Sequence, residues 1–146
     1  MNYEPSTMEI KIAVSEEDIL KCRDVLLELR PHLDKDTFVQ TVQEMIGEGY
    51  TLAFAEEDNK AVAAIGFRYL QFLFNGKHYY IDDLSTLPEY RSHGYGGKLL
   101  DFVFEKAKQN GFKVVTLDSG YHRLAAHKVY LNKGFTLSSH HFSKTL

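Results

Sequence analysis

The sequence predicts a mixed α/β fold, with a mostly antiparallel central sheet flanked by helices, and three features carry that expectation. Two stretches of helical periodicity precede the first long β-prone runs; Asn75-Gly76 separates two such runs; and a glycine-rich segment leads from a strand end into a helix followed by a further strand and helix. The first two features describe an antiparallel meander, and the crossover helix that follows implies a parallel pair. At 146 residues with 44% hydrophobic content, the chain suffices for one core, so residues 1–146 are expected to form a single domain.

From Glu9 to Val14 the residues alternate, with Ile10, Ile12 and Val14 on one face, as in a half-buried strand. Ser15 then caps a helix in which Ile19, Cys22, Leu26 and Leu29 recur at helical spacing up to Pro31. A second helix starts near Asp36, with Phe38, Val42, Met45 and Ile46 on its apolar face, and Gly47 and Gly49 end it. Tyr50 to Ala55 reads as a strand, Glu57 to Lys60 as a turn, Ala61 to Phe74 as a long strand and Tyr79 to Thr86 as its return. Pro88 stops that strand, a glycine-rich loop runs to Gly97, and a helix covers Lys98 to Asn110. Lys113 to Leu117 is a buried-type strand, Arg123 to Asn132 a helix closed by Gly134, and Phe135 onward a last strand.

Composition removes several classes of function. A net charge of −3 and a pI near 6.1 offer no footprint for a nucleic-acid backbone. Cys22 is the single cysteine, so there is no internal disulfide and no cysteine-based zinc site, and at helical spacing among apolar residues it reads as a core thiol. The first ten residues lack the basic flank and apolar run of a secretory signal, and the apolar stretch 61–74 is broken by Arg68 and Gln71, too short for a good membrane span. A cytoplasmic protein with no membrane and no nucleic-acid partner is the expectation.

The segment Arg91-Ser92-His93-Gly94-Tyr95-Gly96-Gly97-Lys98 lies where a strand gives way to a helix, and unpaired N–H groups at a helix start favour an anion. Leu99 follows Gly97-Lys98 where a Walker loop needs Ser or Thr, and the dinucleotide fingerprint is absent. The loop resembles that of the GNAT superfamily of N-acetyltransferases, Q/R-x-x-G-x-G/A, with Arg91, Gly94 and Gly96 matching. Around it, IDDLSTLPEYRSHGYGGKLL resembles the family's strand, proline, loop and helix, and RLAAHKVYLNKGF its later helix, so the resemblance covers about Tyr79 to Phe135.

That resemblance implies the acyl-CoA N-acyltransferase fold, whose strands splay apart to admit the cofactor arm, here Tyr79 to Thr86 and Lys113 to Asp118. It implies acetyl-CoA as acetyl donor, without a metal. The pyrophosphate would lie on Arg91, Ser92, His93, Gly94, Tyr95, Gly96, Gly97 and Lys98, the pantetheine and thioester on backbone groups of Leu84, Ser85 and Thr86, and Ala126 would let the arm pass close to the later helix. Tyr130 would protonate the departing thiolate, and an acid at Asp82 or Asp83 would receive the amine's proton. Adjacent strand residues point to opposite faces, so one of the two aspartates is expected to face the site, and with no basic partner in that strand it should attract a cationic amine. Arg123 stands where many members carry asparagine, and Arg123 to His127 resembles a subset acting on small amines and aminoglycoside-like substrates.

The expected reaction is transfer of the acetyl group to a primary amine of a small molecule by direct attack in a ternary complex. A protein amino-group acetyltransferase and a non-catalytic acyl-CoA-binding or sensing module are the competing readings. Histidine spacing speaks against a metal: His122 and His127 are five apart, and His140-His141 point to opposite sides of a strand. The acceptor pocket is expected between the first helices and the hairpin near Phe74 to His78, and the aromatic C-terminal strand is a candidate homodimer contact.

Overall fold

The computed structural model describes residues 8–146; most of the N-terminal stretch read above for a secretory signal lies outside the described residues. In chain order the elements are β1 (Ile10–Ile12), α1 (Glu16–Lys21), α2 (Arg23–Leu29), α3 (Phe38–Gly47), β2 (Tyr50–Glu57), β3 (Lys60–Phe72), β4 (Gly76–Thr86), a short 3-10 turn at Pro88–Tyr90, α4 (Tyr95–Gln109), β5 (Val115–Leu117) and α5 (Leu124–Asn132). The sheet runs β1-β2-β3-β4-β5, antiparallel as far as β4 and parallel between β4 and β5. This is the mixed sheet that the crossover helix implied.

Local chemistry explains most boundaries. Ser15 Oγ accepts from the Asp18 N–H at 3.1 Å and three acidic residues occupy the first turn of α1, so this end is capped as read. The single helix expected up to Pro31 divides at Cys22, whose N–H bonds back to Ile19 C=O at 3.0 Å. At the β2–β3 turn Asp58 and Asn59 both take positive φ, and at the β3–β4 hairpin Gly76 does (72°).

Two apolar layers cover the two faces of the sheet. Ile19, Val25, Phe38, Leu52 and Phe54 pack beneath α1, α2 and α3, while Ile65, Phe67, Leu99, Leu100 and Val103 pack beneath α4. Each such side chain contributes about 1.5–3 kcal/mol of burial. Cys22 is fully buried, and desolvation pushes its thiol up to about 12, as suits a core residue.

The C-terminal segment departs from expectation. Residues 135–146 form no strand; Leu137, Phe142 and Leu146 are exposed, and a groove of about 420 Å³ separates the start of the segment from β5. The Ser138-Ser139-His140-His141 run interrupts the apolar alternation that would seat a strand, and β5 offers an edge of three residues.

Candidate active site

Pairing between β4 and β5 covers Tyr79↔Val115, Tyr80↔Thr116 and Ile81↔Leu117, whereas β4 continues to Thr86. Beyond Ile81 the two strands therefore diverge. On its other edge β4 stays paired with β3, and the Leu87 N–H donates to Val62 C=O at 2.9 Å. With the register Ala64↔Ser85 and Ile65↔Leu84, that bond makes Ser85 a residue whose backbone groups face β3, while those of Leu84 and Thr86 face the gap. Ser85 Oγ is buried and donates to Val25 C=O at 2.7 Å, so of the three residues expected to line the gap this one is occupied on both counts.

At the far end of the gap, α4 begins three residues earlier than expected. Gly94, at φ 87°, is its N-cap, and Gly96 and Gly97 belong to its first turn. The first intrahelical bond runs from Lys98 N–H to Gly94 C=O (3.1 Å), so the amides of Gly96 and Gly97 lie ahead of it at a helix end with no acidic residue in its first turn. Gly94 is required by its left-handed backbone, and a Cβ on Gly97 would come within 3.1 Å of Lys133 Cε. Gly96 has neither reason: its φ is ordinary and a Cβ there would meet nothing within 4 Å. Glycine weakens a helix, so its use at 96 suits close approach of something other than this chain. Arg91, mostly exposed, donates from Nε to Thr86 C=O at 3.2 Å and pairs with Glu28 at 3.3 Å, joining the loop to the end of β4. Ser92 has a positive φ of 66°, His93 is exposed, and the Tyr95 side chain is buried with its hydroxyl donating to Glu57, so only the Tyr95 backbone is near the loop surface.

The two aspartates do not alternate as expected. The β3–β4 register shifts between Gly66 and Phe67, which face Asp83 and Ile81, leaving Asp82 as the extra residue of a β-bulge. Both carboxylates consequently join one cluster. Arg68 grips Asp82 through Nε (3.0 Å to each oxygen) and Nη2 (2.7 Å), and its guanidinium lies 5.5 Å from the Tyr50 ring centroid. Tyr50 Oη donates to Asp83 Oδ2 at 2.8 Å, and Arg30 donates from Nε to Asp83 Oδ1 (3.2 Å) and from Nη2 to Asp82 C=O (3.1 Å). The basic partners missing from the strand itself are supplied by the neighbouring strand and the end of α2, so the pair is not an unbalanced acidic patch. Burial raises the Asp82 pKa, against the lowering effect of Arg68, and burial ahead of Asp83 holds the Tyr50 phenol well above its usual value.

Tyr130 lies on α5, partly buried, with its ring 5.8 Å from that of Phe135; burial raises its pKa, and Arg123 and Arg30 act the other way. Ala126, half-buried, sits one turn earlier on the same helix. Arg123 caps α5 and donates from Nη2 to Leu29 C=O at 3.4 Å. His127 Nε2 approaches Ser119 Oγ (3.1 Å) and Gly120 C=O (2.9 Å), which ties down the loop before α5. Beside the aspartates a cavity of about 350 Å³ is lined by apolar Leu26, Leu33, Phe38 and Met45 and by polar Arg30 and Asp83. It lies between the first helices and the sheet, and the hairpin tip near Phe74 takes no part in lining it.

Among the described residues no three His, Cys, Asp or Glu side chains gather as a metal site, and no helix is long and apolar enough to cross a membrane. Sequence reading missed Arg30, Arg68 and Tyr50. The available signals were faint: a basic residue directly before Pro31, a charge inside an apolar strand, and Gly66, whose lack of a side chain makes room for the Tyr50 hydroxyl.

The sheet thus opens beside a glycine loop that caps α4. Residues 19–135 match the Acetyltransferase (GNAT) family, and the chain belongs to it. It is 34% identical over 139 residues to an uncharacterized N-acetyltransferase, YhdJ, of Bacillus subtilis (strain 168), covering 94% of this chain and 98% of that one. It is 35% identical over 66 residues to the aminoalkylphosphonate N-acetyltransferase of Salmonella typhimurium (strain LT2), covering 45% and 43% of the two chains. The fold is also that of AAC(6')-Iy, solved in complex with the bisubstrate analog CoA-S-monomethyl-acetylneamine, with a TM-score of 0.82 at 17% identity over 95% of this chain and 97% of the other. The protein is thus an acetyl-CoA-dependent acyltransferase.

Proposed function

We propose that residues 1–146 act as one domain that transfers an acetyl group to the primary amine of a small molecule, with the acceptor held in the cavity beside Asp83. The observation that carries this reading is the early end of β4–β5 pairing at Ile81, which turns the backbone groups of Leu84 and Thr86 toward a gap leading to the start of α4. Acetyl-CoA, when bound, supplies an activated thioester. The amides of Gly96 and Gly97, with Arg91 and the other loop residues, hold its pyrophosphate, and Gly96 leaves the space that a phosphate needs. The Leu84 N–H, turned toward the gap, would donate to the thioester carbonyl and so favour attack there.

An alkyl amine is mostly protonated at neutral pH, so the site must remove a proton. Asp82, at the bulge of β4, has through its burial more basicity than an exposed aspartate; a carboxylate carries about four lone-pair sites, so the Arg68 bonds leave capacity for a proton relay. Asp83, held by Tyr50 and Arg30, orients the amine at the cavity mouth. Tyr130, a phenol that is protonated at neutral pH and that burial keeps protonated further into the alkaline range, would give its proton to the departing sulfur. The name of the Salmonella relative, an aminoalkylphosphonate N-acetyltransferase, favours a small-molecule acceptor over a protein one. The test is release of free coenzyme A thiol across a panel of amines and of lysine-bearing peptides: fast turnover is expected with a small amine, and turnover confined to the peptides would overturn the assignment of acceptor.

A further inference from the structure

We infer that the acceptor carries an anionic group as well as its amine, and that Arg123 with Arg30 recognises it. This rests on the preceding reading of the cavity side of β4 as the acceptor site. Two arginines, Arg30 and Arg68, bind the two aspartates 82 and 83 at the bulge, and a third, Arg123, reaches the end of α2 beside Arg30. Arg68 is consumed by its two-pronged grip on Asp82, and Arg30 spends Nε and Nη2 on Asp83 and on the Asp82 carbonyl, keeping Nη1. Asp118, the next acid outward, takes the Tyr80 hydroxyl at 2.8 Å and lies 3.6 Å from His141.

Arg123 differs from all of these. Among the described residues it has no carboxylate partner, and its one hydrogen bond is the long contact from Nη2 to Leu29 C=O. Its side chain is nonetheless drawn in against the end of α2 rather than extended to solvent, and its acceptor, Leu29, directly precedes Arg30 in the chain. A guanidinium in that setting retains most of its five donors in a planar fork, the geometry that fits a carboxylate, phosphonate or phosphate. The site as a whole therefore offers acidic groups for an ammonium and, close by, an unmatched arginine for an anion. The ligand chemistry that satisfies both is a short zwitterion, with the amine toward Asp83 and the acid toward Arg123.

The experiment compares acceptors of similar length: 2-aminoethylphosphonate and β-alanine against ethanolamine and propylamine, each followed by free thiol release. The wild-type kcat/KM should favour the anionic pair by about tenfold or more. Arg123→Gln should lower it for the acid-bearing acceptors by about tenfold while changing ethanolamine and propylamine less than about twofold, and Arg123→Lys should fall between. Methylphosphonate, which lacks an amine, should compete with the acceptor in the wild type, more weakly in Arg123→Lys and not in Arg123→Gln. Equal loss for all four amines, a change confined to the KM of acetyl-CoA, or a preference for ethanolamine and propylamine overturns the inference and leaves the acetyltransferase assignment intact. Absence of thiol release with every amine would instead remove the function on which it rests.

Discussion

Gly66→Ala perturbs the point where fold and site meet. Gly66 is buried in β3 opposite Asp83, and a methyl group there would collide with the Tyr50 hydroxyl and with the ring carbons behind it. Two costs follow. Forcing a side chain into a packed core costs about 1–3 kcal/mol, and displacing Tyr50 Oη breaks its 2.8 Å bond to the Asp83 carboxylate, a charged hydrogen bond of about 1.5–3 kcal/mol. Alanine returns about 0.5–1 kcal/mol relative to glycine in a strand, so the net loss is about 2–5 kcal/mol. Urea unfolding with an unchanged m-value measures it. The same substitution in a Tyr50→Leu background, where there is no ring to strike, should cost at least about 1 kcal/mol less, so the pair should be non-additive. A loss below about 1 kcal/mol, or strict additivity, would refute the claim that Gly66 exists to seat Tyr50 against Asp83.

Other outcomes are sized by the same contacts. Tyr130→Phe should lower kcat by about ten- to a thousandfold with acetyl-CoA affinity nearly kept; the alkaline limb of the wild-type profile should lie above the usual phenol value, since burial raises this pKa and the proton is lost only beyond it. Asp82→Asn should remove the acid limb of kcat/KM, which in the wild type should lie above the ordinary aspartate range because burial raises the Asp82 pKa and the carboxylate form is lost as pH falls through it. Cys22, fully buried with a thiol at about 12, is only about one part in ten thousand thiolate at pH 8. Alkylation of the native protein should therefore be negligible over hours and become complete on unfolding; rapid native labelling would contradict the packing of α1 and α2.

Much of this architecture is legible in the residues alone, because its signals are local. Ser15 caps where it is expected to cap, Pro88 stops β4, and a loop from Arg91 leads to the α4 N-cap at Gly94. What escaped reading depends on contacts distant in sequence. The bulge at Asp82 has no mark in β4 itself, since it comes from how Gly66 and Phe67 pair across the sheet, and it cancels the alternation that would have separated Asp82 from Asp83. Arg30 and Arg68 are 52 and 14 residues from Asp82, and no periodicity connects them to it. The start of α4 was read too late for the opposite reason: Gly96 and Gly97 are poor helix formers, yet Gly94 in a left-handed conformation starts the helix ahead of them. At the C-terminus a weakly alternating run found too short an edge to join.

The central claim is that the end of β4 and the first turn of α4 form the seat of acetyl-CoA, and calorimetric titration of acetyl-CoA into the wild type and Gly96→Val tests it most directly. A Cβ at Gly96 meets nothing within 4 Å in the chain, so the variant should fold and melt within a few degrees of the wild type. The wild type should bind clearly and without metal, and the variant should lose about a hundredfold or more, because the added side chain fills the space a phosphate must enter. Equal affinity in the two proteins, or no binding by the wild type at millimolar acetyl-CoA, would contradict it.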